Sequence, residues 1–128
     1  MRYILALIAA LVAISLSDWL FFGVLFHKRY DKTPATWRQL PESRKIAGSM
    51  LFALIGTVAL FQLAARFGAH TFTDLCPIAV LGWFAMSLPQ TVTNTLYLNY
   101  DASLVVSHSI GWFARIALAA AAYGLIVH

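Results

Sequence analysis

Acidic residues are scarce in this chain. Asp and Glu together number 5 of 128 residues, and charged residues of all kinds make up only 11%. Soluble domains carry about 25% charged residues, so an ordinary water-facing surface is excluded. Cysteine is nearly missing as well. Cys76 stands alone, which excludes an intrachain disulfide and any multi-cysteine metal or cluster site. A lone cysteine in an apolar segment serves as a small core residue. The sequence has no glycine-rich phosphate loop, no HExxH and no GxSxG, and no repeat of its first half in its second. The length fits one domain.

What fills the chain instead is apolar, at 61% of residues. It falls into four runs, at about Tyr3–Phe26, Lys45–Phe67, Asp74–Leu98 and Ala102–Val127. Each is near the roughly 20 residues that a helix needs to cross a hydrocarbon core. The stretch Met1–Ser17 has features of a secretory signal, with Arg2 ahead of an apolar core and small residues at Ala13, Ser15 and Ser17. The apolar pattern nevertheless continues unbroken through Trp19-Leu20-Phe21-Phe22, so we read it as a retained span. Short connections between the spans predict a compact antiparallel bundle of four transmembrane helices.

The net charge is +4 with histidine neutral, but it does not point to nucleic acid. Lys28, Arg29, Lys32, Arg38, Arg44 and Lys45 lie together in and beside the first loop, so topology accounts for them. By the positive-inside rule that loop, residues 27–44, faces the cytoplasm and both termini face out. The same residues suit anionic lipid headgroups. Within the loop, Thr33-Pro34 reads as an N-cap followed by proline at the first helical position. A short interfacial helix over Pro34–Leu40 follows, with Trp37 at headgroup depth.

Charge inside the spans is the informative exception. Asp18 is the one acidic residue within a span interior. A carboxylate there is expensive and needs a partner, a cavity or a chemical task. Counting roughly 1.5 Å per helical residue puts Asp18 roughly 12 Å from the basic end of its span. Gln90 falls roughly 12 Å deep, Asn94 roughly 6 Å, His108 roughly 9 Å and Arg115 roughly 20 Å. Asp18, Gln90 and His108 therefore share a layer. His108 and Arg115 are seven residues apart and lie on one helix face, with Gly111 between them. Arg115 is always charged and needs an anion. Two extended side chains cover the difference in level, so an Asp18–Arg115 pair is predicted, direct or through His108 or water, with Gln62 as a neutral alternative for Arg115. Pro89 lies just before Gln90, and the stretch Leu88-Pro89-Gln90-Thr91 is where the bundle is expected to open. Small residues at Ala64 and Gly68, Ala117 and Ala121, and Ala120 and Gly124 mark expected close approaches.

The stretch Asp18-Trp19-Leu20-Phe21-Phe22-Gly23-Val24-Leu25-Phe26-His27-Lys28, with Trp37 after it, resembles a bacterial membrane family known as domain of unknown function seventeen sixty-one. The late His108-Ser109-Ile110-Gly111-Trp112 is similar as well. The resemblance implies a small four-helix membrane protein and carries no activity.

These features predict an integral, multi-pass protein of a bacterial cytoplasmic membrane. It would bind or translocate a small solute, an ion or proton, or a lipid at a polar intramembrane core of Asp18, His108, Arg115, Gln90 and Asn94. Asp18 and His108 are a candidate proton relay. The competing reading is a structural or accessory subunit whose buried ion pair fixes helix packing. An enzyme acting on a lipid or quinone-like substrate, with His108 as acid–base, lacks a visible nucleophile–base pair. No motif calls for a cofactor, and too few ligands cluster for a metal. Four short helices enclose little interior, so a homo-oligomer is expected.

Overall fold

The computed structural model describes residues 1–30, 40–97 and 102–127, without the side chains of Arg29 and Tyr30. Among these it is all helical. Four helices, Arg2–Leu25, Glu42–Arg66, Phe72–Tyr97 and Ala102–Ile126, are long and apolar enough to cross a membrane. No more than 22% of the apolar window of any of them is buried within the protein. The remainder, including Ile8, Val12, Leu51, Ile55, Leu81 and Phe113, faces outward. A water-soluble fold does not leave such a surface uncovered, whereas acyl chains solvate it. The chain fits a multi-pass membrane protein. The expected interfacial helix over residues 34–40, with Trp37, Lys32 and Arg38, lies outside the described residues apart from Leu40. The first span is followed by one helical turn, His27–Tyr30.

The fourth span is the hub and touches each of the other three. Its largest contact is with the first. Ala6, Ala10 and Ile14, four residues apart, are buried on one face of the first span, and Ala119, Ala120 and Tyr123 are buried on the fourth. Small side chains allow close approach, and dispersion then replaces hydrophobic drive in lipid. The second and third spans share few contacts with each other.

Between the second and third spans, each residue of the turn has a task. The second span ends in a Schellman motif. Gly68 takes the left-handed conformation at φ 64°. Ala69 N–H donates to the Ala64 carbonyl at 2.9 Å, and Gly68 N–H to that of Ala65 at 3.3 Å. Gly68 is thus a chain-reversing residue, not the helix-packing residue its spacing from Ala64 suggested. The third span then opens on a capping box. Asp74 Oδ2 accepts from the backbone N–H of Thr71 at 2.8 Å and of His70 at 3.0 Å. The Thr71 hydroxyl accepts from Asp74 N–H at 3.2 Å. Gly124 closes this end. A Cβ there would sit 2.4 Å from the Phe72 backbone nitrogen. Beside it Phe61 bridges Tyr3 and Tyr123, with ring centroids 5.3 Å and 4.9 Å away.

Two stretches widen to π-helical geometry, Trp19–Leu25 and Trp83–Ser87. In the first, Phe26 N–H donates to the Phe21 carbonyl five residues back at 2.9 Å. In the second, Leu88 N–H bonds the Trp83 carbonyl. The backbone irregularity thus lies one turn before Leu88–Thr91, the stretch where the bundle is expected to open. Proline explains the displacement: its ring clashes with the carbonyl four residues before it, here Ala85, so the helix relaxes on the N-terminal side.

Two substitutions test this end of the fold. Gly124→Ala should cost about 1–3 kcal/mol, because backbone rather than a movable side chain opposes the new methyl. Asp74→Ala should cost about 1 kcal/mol through the lost cap. Thermal unfolding in detergent reads both, and an unchanged Gly124→Ala midpoint would contradict the packing described.

Candidate functional site

The site is built on antiparallel geometry. Helical Cα–Cβ bonds tilt toward the N-terminus of their helix. The first span begins beside Phe61 and Tyr123, at the end of the molecule that carries the Gly68 turn. The fourth span begins at the opposite, basic end. Asp18 therefore leans toward the turn end and Arg115 toward the basic end. The level difference between them is closed by side chains that already point at each other.

Arg115 and Asp18 meet directly. Arg115 Nε donates to Oδ1 at 2.8 Å, and Nη2 donates to Oδ2 at 2.6 Å. The bidentate fork is the strongest common geometry for this pair. Nη2 also donates to the Ser49 hydroxyl at 3.2 Å, so the contact joins the first, second and fourth spans. The guanidinium carbon lies 4.8 Å from the centroid of the Trp112 ring, one turn away on the same helix. The sequence pointed to a buried pair; the structure leaves it only partly covered, with the side chains retaining 14% and 20% of their exposure. A cavity on each side explains that residual exposure.

The main cavity has a volume of about 530 Å³. It lies between the second, third and fourth spans, with Ile14 reaching it from the first. Phe52, Leu60, Leu63 and Ile78 supply apolar wall, and Gln90, Asn94, His108 and Arg115 supply polar groups. Thr57 and Thr91 also line it, but their hydroxyls donate to the Ala53 and Ser87 carbonyls of their own helices at 2.8 Å and 2.7 Å. A second cavity of about 540 Å³ lies toward the basic end, lined by Asp18, Phe22, His27, Glu42, Lys45 and Ser49 among others. Each π-helical stretch borders a cavity: Trp19, Phe22 and Gly23 the second, Met86 and Ser87 the main one.

The predicted polar set is thus divided. Gln90, Asn94, His108 and Arg115 share the main cavity, whereas Asp18 faces the other one. The Phe22 ring lies against His108, tilted by 40° with centroids 5.4 Å apart. That ring fits because Gly111 has no side chain; a Cβ there would lie 3.0 Å from Phe22 Cζ. Gln62, the alternative partner for Arg115, instead donates to the Tyr3 hydroxyl at 3.4 Å. Pro89 does not line the main cavity, although the widened turn before it does. Among the basic residues, Lys28 and Arg44 are exposed, and Lys45 pairs with Glu42 at 3.4 Å. Among the described residues no group of three metal-ligating side chains comes together.

Sequence reasoning missed Ser49. The depth count used for the other spans, run inward from Glu42, places it roughly 10 Å deep, at the level of Asp18. It also missed Trp83, whose indole N–H donates to the Ser109 carbonyl at 2.9 Å and pins the widened turn of the third span to the fourth. An indole in an apolar span carries one donor that needs an acceptor, which was the available signal.

No curated protein and no solved structure is significantly similar to this chain. One family model does match, the one described as protein of unknown function DUF1761. The match runs over residues 5–124, nearly the whole chain, so this protein belongs to the DUF1761 family.

Proposed function

We propose that this protein binds a small amphiphilic molecule inside the membrane, in the main cavity, and holds it or passes it across. The observation that carries this reading is the cavity itself. About 530 Å³ is the volume of a small-molecule site, and apolar walls with a few convergent polar groups are the usual lining. Gln90, Asn94, His108 and Arg115 orient the polar end of the ligand. The widened turn before Pro89 gives the third span freedom to move away from the second. In this reading the basic-loop end faces the cytoplasm, and Lys28, Arg29, Lys32, Arg38, Arg44 and Lys45 contact anionic headgroups. Exposed apolar faces on every span leave room for a second copy of the chain.

Two glycines make the test clean. Gly56 and Gly82 line the cavity, and a Cβ at either meets nothing within 4 Å. Gly56→Leu and Gly82→Leu therefore fill the cavity without straining the backbone. Mass spectrometry of the purified protein should show a co-purifying small molecule in the wild type and its loss in both variants, with thermal midpoints little changed. Ligand retained at wild-type levels in both variants would remove the cavity from the mechanism.

One observation favours the second reading, that of an accessory subunit. Arg115 ties three spans through Asp18 and Ser49. Asp18→Asn leaves the guanidinium without its anion and should cost about 2 kcal/mol, between the values for exposed and buried pairs. If this variant unfolds earlier yet its solute or proton flux in proteoliposomes, corrected for folded protein, matches the wild type, the pair acts as a register lock alone.

A further inference from the structure

The Asp18–Arg115 pair also determines the charge character of the main cavity. Among the described residues, Arg115 alone lines both cavities. A guanidinium has five N–H donors and no acceptor. Three of them are taken, one from Nε and two from Nη2, by Asp18 and Ser49. Both of those acceptors belong to the wall of the second cavity. Among the described residues, no acceptor takes the two Nη1 hydrogens. Trp112 covers the guanidinium and itself lines the main cavity.

The charge on this donor is already balanced. Asp18 neutralises Arg115 from the far side of the partition, and none of the other residues on the main-cavity wall is acidic, lysine or arginine. The cavity thus offers hydrogen-bond donors, at Arg115 and at the Gln90 and Asn94 amides, without a net positive charge from the fixed ion pair. An anion placed there would add an uncompensated charge at membrane depth, which is strongly unfavourable. A neutral oxygen acceptor takes the same donors without that penalty.

Resting on the cavity-binding reading above, we infer that the occupant of the main cavity is an uncharged amphiphile whose polar end carries carbonyl oxygen, as in an ester or a quinone. The carbonyl accepts from Arg115 Nη1. The apolar body lies along Phe52, Leu60, Leu63 and Ile78.

Trp112 provides the readout, because bromine quenches indole fluorescence at close range. The probes are dibrominated octadecane, the dibrominated octadecanoic acid and its methyl ester, added to the full chain in detergent micelles at a pH where the acid is ionised. The signal is the saturable quenching that a Trp112→Phe variant lacks. The ester should bind about tenfold more tightly than the carboxylate. It should also bind more tightly than the hydrocarbon. Asp18→Asn leaves Arg115 uncompensated and should reverse the order of ester and carboxylate. A wild-type preference for the carboxylate, or an ester no tighter than the hydrocarbon, overturns the inferred ligand class while leaving the cavity as a binding site. Absence of saturable Trp112 quenching with all three probes overturns the binding reading as well. The wild-type ranking decides the matter even if the Asp18→Asn variant does not fold.

Discussion

Arg115 lies near the midpoint of the fourth span, Ala102–Ile126, where it cannot reach water at either end, and it has one carboxylate in reach, that of Asp18. The charge cannot be lost, since a guanidinium stays protonated at any accessible pH. Its depth therefore dictates the rest. The first span must present Asp18 toward the fourth, and the two helices must run antiparallel for both side chains to lean the right way. Once that rotation is set, Ala6, Ala10 and Ile14 fall on the buried face, and the alanines near the end of the fourth span can receive them. Electrostatics and small-residue packing thus select the same rotation of the first span, and the bidentate fork tolerates little slippage.

The same constraint shapes the empty space. With the fourth span joined to the first by the ion pair and close packing, the second and third spans reach the fourth separately and share few contacts with each other. The gap between them is the main cavity. On the other side of the guanidinium, the widened turn after Asp18 and the start of the second span enclose the second cavity. Arg115 is the wall between two spaces, which accounts for a pair that is covered on its edges and still retains some exposure.

Much of this was legible in the sequence. Spans are legible because the bilayer imposes a length, and all four run within about three residues of their expected ends at each described terminus. The pairing of Asp18 with Arg115 was legible because scarcity leaves one acid for one base. Depth counting, however, gives the level of a residue and not the direction it faces around its helix. That is why Asp18 was grouped with Gln90 and His108, although it opens onto a different cavity. The roles of glycine show a similar limit. Spacing alone does not separate Gly68, which reverses the chain at positive φ, from Gly124, which admits a neighbouring backbone. The widened turns are still less legible. Pro89 announces a disturbance in the third span, but Trp19–Leu25 has no proline, and nothing in its residue pattern distinguishes it from ordinary helix.

The geometry also bears on whether the polar layer moves protons or holds a molecule. A carboxylate that relays protons must take and release one, which means breaking its existing bonds. Both oxygens of Asp18 accept from Arg115, and the guanidinium is steadied in turn by Ser49 and Trp112. Asp18 also lines a different cavity from His108, the other residue of the expected relay. A ligand asks for less. It needs only donors that the pair does not use, walls of the right polarity and a helix that can yield. The main cavity combines these with the widened turn ahead of Pro89. The tie between three spans and the uncharged character of the main-cavity wall are then two consequences of one paired arginine: Asp18, on the second cavity, balances the charge that Arg115 presents to the first.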